Sequence, residues 1–429
     1  MYTDQDLCNY LASPTREKAL SAKAFALCFA APDEKSRDIR LTFLRDLACG
    51  AEHPEDNSMP GLGVDPARFE QVRARFEAEY QADPRGFADC ALSGSLWQSA
   101  AVLRARQLPE LRYVVEGLLP QGLVLLASPP KFGKSWLALD LCLAVAGGGT
   151  FLGRPVQRGE CLYLALEDGE QRLQKRLNKL LGDRPVPTGF FYQTRALSLE
   201  ENLLSNLEFF PAKYPNTRLV VIDTLQKVRG EDRSSGSVYA ADYKVMSQLK
   251  AFADRCGICL LVIHHLRKMA DDTDPFNRIA GSNGLFGAAD AALVLTRPKR
   301  ADPRTTLSLT GRDVEEQELV LSFDKPSCRW RVLGSAEEVA AADEQADYDA
   351  DPLVVTVRRM LDEKGGRWQT TGSGIVSACE RLCGEGPATG QEAAAFLEEL
   401  APRLKERDGI LWRCRSHGTR GRVHLFTRL

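Results

Sequence analysis

The stretch Ser128-Pro-Pro-Lys-Phe-Gly-Lys-Ser135 carries a glycine turn, a lysine and a hydroxyl at the spacing that grips a polyphosphate. It lies between an apolar run at 122–127 and an amphipathic run at 136–146, in the strand, loop, helix order such a cradle requires. Loop N–H groups and the positive end of the helix would converge on the phosphates. Lys134 would reach the β/γ-phosphates and the Ser135 hydroxyl would ligate a cation. ATP and Mg²⁺ are therefore the expected ligands, with contacts running through Ser128, Pro129, Pro130, Lys131, Phe132, Gly133, Lys134, Ser135 and Trp136. Ser128 stands where the pattern has its first glycine, and Pro129 and Pro130 bring no N–H, so the donors must come mostly from Lys131 to Ser135.

Hydrolysis needs a second metal-holding group, and Asp223 supplies a carboxylate at the end of the apolar run 219–222. The attacking water needs a base or orienting group. Glu167, at the end of the run 162–166, is placed for that role, and Asp168 before Gly169 reads as a helix cap. The run 260–263 ends in His264-His265, a candidate sensor of the γ-phosphate, with His264 assigned to nucleotide contact and His265 to catalysis. Neighbours on a strand point to opposite faces, so the two histidines are not expected to share a metal.

These groups need a scaffold. At 429 residues the chain is long enough for two or three cores. Residues 1–105 read as helical, with apolar positions at Leu20, Phe25, Phe29, Leu41, Phe43, Leu44 and Leu47, a break around 53–65, and no assignable chemistry. Residues 106–334 alternate strands with helices, which predicts an α/β fold whose mainly parallel sheet is covered on both faces. Strands are predicted at 123–127, 161–166, 190–193, 219–223, 259–264 and 291–296. Stricter alternation at 305–310, 318–323 and 328–333 predicts antiparallel strands extending the sheet. Acids among alanines at 335–352 read as a solvated linker. Residues 353–429 read as three helices and a hairpin, 410–415 with 422–427, the outline of a winged-helix-like domain that binds DNA or docks a protein.

A formal net charge of −2 gives no global attraction to nucleic acid, so any such contact must be local. Between 403 and 429 basic residues outnumber acids, and Arg413, Arg415, Arg420 and Arg422 flank the predicted hairpin turn. No apolar run approaches the ~20 residues of a membrane span, and the first residues lack an export signature, so no membrane partner and a cytoplasmic location are expected. Twelve cysteines are then expected reduced. Cys256 and Cys259 read as structural thiols at a helix end and a strand start. Cys379, Cys383, Cys414 and His417 have spacings unlike a common zinc finger.

The four motifs in this order resemble RecA-type P-loop ATPases, and within them the hexameric plasmid and phage replicative helicases called RepA-like. The likeness covers roughly 106–334. Residues 128–135 match the Walker A motif, Glu167 the catalytic glutamate, Asp223 the Walker B aspartate, and His264-His265 the histidine motif. The resemblance implies a homo-oligomeric, hexameric ring in which a neighbour's Arg297 or Arg312 stabilises charge on the γ-phosphate. It also implies DNA-contacting loops at 226–236 and 266–284, which carry Lys227, Arg229, Arg233, Arg267, Lys268 and Arg278. With Phe276 the lone aromatic there, grip on phosphate is expected. The implied activity is a DNA helicase or translocase in replication. A RecA/RadA-like recombination ATPase and an ATP-gated DNA-binding regulator are the alternatives.

Overall fold

The structure, a computed structural model, describes residues 3–50, 61–93, 97–108, 110–230, 238–266, 274–279, 283–297, 302–416 and 422–429. They form two compact units, Met1–Glu110 and Leu111–Leu429. The first is helical, with helices at Asp4–Tyr10, Arg16–Ala19, Ala22–Phe29, Glu34–Cys49, Pro66–Ala82, Pro84–Ser93 and Ala100–Ala105. Ser21, Asp33 and Asp65 each accept a backbone N–H at a helix start, as short polar side chains do at an N-cap. Phe25 centres the core, its ring 5.6 Å from Phe69 and 5.3 Å from Phe76. Leu20 and Phe43 are only half-buried, and most of the predicted break lies outside the described residues.

The second unit is built on a nine-stranded sheet. In chain order its elements are β1 (Gly122–Ser128), α1 (Lys134–Gly147), β2 (Glu160–Ala165), α2 (Glu170–Leu181), β3 (Phe190–Gln193), α3 (Leu203–Lys213), β4 (Thr217–Asp223), α4 (Val238–Cys256), β5 (Cys259–His265), β6 (Ala291–Thr296), β7 (Arg304–Gly311), β8 (Gln317–Asp324) and β9 (Arg329–Ser335). The spatial order is β9-β8-β7-β6-β1-β5-β4-β2-β3. The six strands from β6 to β3 are parallel, and β7, β8 and β9 add on antiparallel. Each predicted strand is present, because a run buried on both faces must be apolar throughout.

Alternation along β1 shows how the layers form. Val124 and Leu126 face a core with Leu137, Leu141 and Val145 of α1 and Leu173 of α2. Leu123, Leu125 and Ala127 face the opposite core, with Leu203 of α3 and Met246, Leu249 and Phe252 of α4. All seven residues of β1 are buried, which fixes the strand that launches the phosphate loop.

Residues expected as a linker form a helix instead, α5 (Ala336–Ala350), opened by a capping box between Ser335 and Glu338. Alanine and glutamate are strong helix formers, and the Ser-x-x-Glu spacing satisfies the first orphan N–H groups. Beyond it come α6 (Pro352–Glu363), β10 (Arg367–Thr371), α7 (Gly372–Cys383), α8 (Gly390–Asp408), β11 (Ile410–Ser416) and β12 (Arg422–Arg428). The strand β10 falls where the sequence predicts only helices. It pairs antiparallel with β12, which takes the centre of a β10-β12-β11 sheet. Trp368 of β10 stacks on Phe426 of β12 at 5.1 Å over a core that includes Val357, Ile375 and Leu397.

Helix α5 also answers much of the basic stretch. Its Glu344 holds Arg403 at 3.3 Å and Arg407 at 3.0 Å, and Arg428 pairs with Asp362 at 2.8 Å. Tyr348 lies under Arg358, Arg403 and Arg407, each 5.0–5.3 Å from its ring centroid. Among the described residues no helix is long and apolar enough to cross a membrane.

Candidate nucleotide-binding cleft

A cleft of about 740 Å³ opens at the C-terminal edge of β1, β2, β4 and β5, and Lys131, Lys134, Ser135, Glu167, Asp223 and His265 all line it. The loop reaches it by two left-handed residues, Lys131 at φ 62° and Gly133 at φ 87°. The lysine accepts this at on the order of 1 kcal/mol, whereas Gly133 has a second constraint. A Cβ there would stand 3.1 Å from the Trp330 ring. Ser128, in place of the usual first glycine, remains in the strand with its side chain buried. The helix α1 starts at Lys134 with Gly133 as N-cap, so its first N–H groups face the cleft without intrahelical partners.

The Lys134 ammonium folds back onto its own loop. It donates to the Ser128 carbonyl (3.1 Å), Ser128 Oγ (3.1 Å) and the Pro129 carbonyl (3.2 Å), and lies 3.4 Å from His265 Nδ1. Burial pulls its pKa down to about 8, partly opposed by Asp223 and Glu167. A triphosphate beside it would favour the charged form, so binding should draw in a proton: on the order of half a proton at pH 8 and about a tenth at pH 7. Calorimetry of a non-hydrolysable ATP analogue in two buffers of unlike ionisation enthalpy measures this uptake. Identical heats at pH 8 would show an amine already fully charged.

Asp223 closes β4 with 3% of its surface exposed. Tyr163 Oη donates to its Oδ2 at 2.7 Å, while Oδ1 is buried without a hydrogen-bond partner. Burial raises the carboxyl's pKa, and hydrogen bonding from Tyr163 and from the nearby Ser135 side chain opposes the rise. An unsatisfied carboxylate oxygen beside a serine hydroxyl is a hard-oxygen pair suited to Mg²⁺, so the residues present fit that ion. When bound, it would supply charge neutralisation on the phosphate oxygens.

Glu167 is the exposed carboxylate of the group. Thr224 Oγ1 donates to its Oε1 at 3.1 Å, and His265 Nε2 lies 3.8 Å from the same oxygen. Because β5 is interposed between β1 and β4, His265 falls between the lysine and the glutamate. The two histidines separate as neighbouring strand residues must: His265 lines the cleft, while His264 is buried at 6% exposure and does not. Asp168 is not the cap of α2, since Gly169 holds that position. Its carboxylate instead binds Arg172 at 3.2 Å and Arg176, both of which line the cleft.

Arg297 also lines its own chain's cleft, over the Phe132 ring at 4.8 Å and hydrogen-bonded to Thr305 Oγ1 at 3.0 Å. The cause is topological, for β6 lies beside β1 and emerges next to the loop. That position removes it as a donor held out to a neighbour. Arg312 is placed otherwise. It sits 3.5 Å from Asp290, whose carboxylate accepts the N–H of Leu123 near the start of β1. A strand of this length separates it from its own phosphate loop by roughly 20 Å.

Sequence reasoning missed the far wall, where Phe323 and Trp330 stack at 5.1 Å beside Asp302, Pro303 and Lys325. These residues arrive from the antiparallel strands and share no local motif with the loop. Of the predicted DNA contacts, Lys227 is exposed, Arg229 is held at 2.5 Å by buried Asp242, and Arg278 is half-buried. Arg233, Arg267, Lys268 and Arg420 lie outside the described residues, as does His417. Arg413, Arg415 and Arg422 are exposed and carry no ion pair among the described residues. Phe276 is not alone, for it stacks on Phe286 at 5.5 Å, and exposed Tyr239 and Tyr243 stack at 6.2 Å on α4. Cys259 is buried at the start of β5 and Cys256 is half-buried at the end of α4. Cys379 and Cys383 both face the Pro352 carbonyl, and Cys414 is exposed.

A family model described as an AAA domain matches residues 93–271, less than half of the chain. Among solved structures, one titled as the ATPase domain of a larger protein is 17% identical with a TM-score of 0.42, covering 50% of this chain and 85% of that one. Another, titled "The Structure Of A DnaB-Like Replicative Helicase And Its Interactions With Primase", is 15% identical with a TM-score of 0.43, covering 73% and 98%. Both likenesses are distant. What the matched segment does contain is the phosphate loop, Glu167, Asp223 and both histidines, so its chemistry is that of an AAA-type nucleotide cleft.

Proposed function

We propose that this chain is a Mg²⁺-dependent ATP hydrolase working as a ring-forming DNA helicase or translocase in replication of a plasmid, phage or mobile element. The observation that carries the hydrolase is the convergence of Lys134, Ser135, Asp223, Glu167 and His265 on one cleft. In this reading Lys134 and the loop N–H groups hold the β- and γ-phosphates. Asp223 and Ser135 hold the cation, Glu167 takes the proton of the attacking water, and His265 registers the γ-phosphate.

Assembly and DNA contact rest on the motif resemblance and on two placements. Arg312, remote from its own cleft, is available to a neighbouring subunit's nucleotide, in a cytoplasmic ring whose size the resemblance puts at six. The helix, strand, helix, helix, hairpin order of the C-terminal part supports a winged-helix-like domain, with Arg413, Arg415 and Arg422 directed at phosphates. Lys227 and the Tyr239–Tyr243 pair would add contacts on the ATPase part.

Phosphate release with and without single-stranded DNA tests the reading. Several-fold stimulation is expected, together with unwinding of a forked duplex. The Arg312→Ala protein should bind ATP normally yet hydrolyse it at least about tenfold more slowly. Hydrolysis indifferent to DNA would point to the regulator, and DNA-stimulated hydrolysis with strand pairing and no unwinding to the recombination ATPase. An Arg312→Ala protein of full activity would remove that residue from the subunit boundary.

A further inference from the structure

We propose that Tyr163 is a positioning residue, which aims the second oxygen of Asp223 at the divalent cation; the inference rests on the ATP·Mg²⁺ reading above. Tyr163 sits in the middle of β2 with none of its surface exposed, flanked by Leu162 and Leu164. A buried strand of this kind has no packing need for a phenol, since phenylalanine would fill nearly the same volume. An unpaired buried hydroxyl costs on the order of 1–3 kcal/mol, so its partner matters.

That partner is Asp223. The parallel register sets Tyr163 beside Val221, and side chains two residues apart on a strand share a face. Asp223 is two residues beyond Val221, and the phenol spans the gap to give the 2.7 Å bond to Oδ2. Only one oxygen of the carboxylate is occupied in this way. The other, Oδ1, is buried and unpartnered, on a residue that lines the cleft together with Ser135 and Lys134. The donor thus fixes the rotamer of the carboxylate and leaves one lone-pair edge presented to the cation. Outer donors that orient a ligand in this way typically carry about 10–100-fold in metal affinity.

The test is Tyr163→Phe, read by anisotropy of a fluorescent ATP analogue titrated with Mg²⁺, alongside Mn²⁺ binding followed by electron paramagnetic resonance. The Mg²⁺ midpoint should rise about tenfold, while analogue binding without metal stays at the wild-type level. In an Asp223→Ala background the same change should have no further effect on metal binding, as two residues acting through one contact require. Tyr163→Met, which fills the space without a donor, is the second variant should the first fail to fold.

A Mg²⁺ midpoint in Tyr163→Phe equal to that of the wild type overturns the inference. So does a loss of metal affinity that persists in the Asp223→Ala background. If the wild type itself binds the analogue with no dependence on Mg²⁺, the reading beneath the inference falls too, and the wild-type titration alone shows which has failed.

Discussion

Lys134→Ala lowers ATP turnover by about 10²–10³-fold, the usual consequence of removing a fixed donor from charge developing in a water-poor site. Lys134 is 6% exposed and its three oxygen partners belong to residues 128 and 129, so the amine closes the loop until a phosphate competes for it. Truncation leaves those oxygens facing a cleft that water can enter. The fold therefore survives, and thermal melting of the variant should stay close to that of the wild type. Phosphate release measured under saturating ATP checks the first statement. Wild-type turnover in this variant would place hydrolysis somewhere other than this cleft.

Glu167→Gln has a comparable or larger effect on turnover, about 10²–10⁴-fold, through a different step. The amide cannot take a proton from water, yet it keeps the size of the carboxylate and an oxygen to accept the 3.1 Å bond from Thr224. Binding is spared because the phosphate contacts come from Lys134, Ser135 and the loop. The variant should retain labelled ATP through gel filtration or filter capture while releasing little phosphate. Loss of ATP binding in this variant would make Glu167 a structural support instead of a base.

The parallel strands are legible in the sequence because burial on both faces leaves only apolar side chains, as in Leu260-Leu-Val-Ile before the histidines. Strand ends then place Glu167, Asp223 and His265 at one edge without any knowledge of contacts. What stays hidden needs the third dimension. Trp330 meets Gly133 across 197 residues, and Tyr163 meets Asp223 across 60. Arg297 and Arg312 are equivalent candidates in the sequence, and only the strand order shows that one borders its own cleft while the other lies at the far end of β1.

Two misreadings had local signals. The acidic segment carries Ser335 and Glu338 at capping-box spacing, which outweighs a composition that resembles a linker. Asp168 reads as a cap by proximity, but its neighbours four and eight residues on are arginines, and helical spacing brings both within reach. The strand β10 gave less away. It holds one buried aromatic, Trp368, between polar residues and follows Gly365-Gly366, a pattern of alternation too short to stand out.

The neutralisation of Arg403, Arg407 and Arg428 by carboxylates of their own chain sets a limit on polyanion binding. A cation already matched has little to gain from a phosphate, so it displaces few condensed counterions when the domain meets a nucleic acid. Among the described residues of the C-terminal hairpin, three arginines remain to do so, Arg413, Arg415 and Arg422. The ionic-strength sensitivity of that domain should accordingly be shallow, closer to a three-phosphate footprint than to its tally of basic residues.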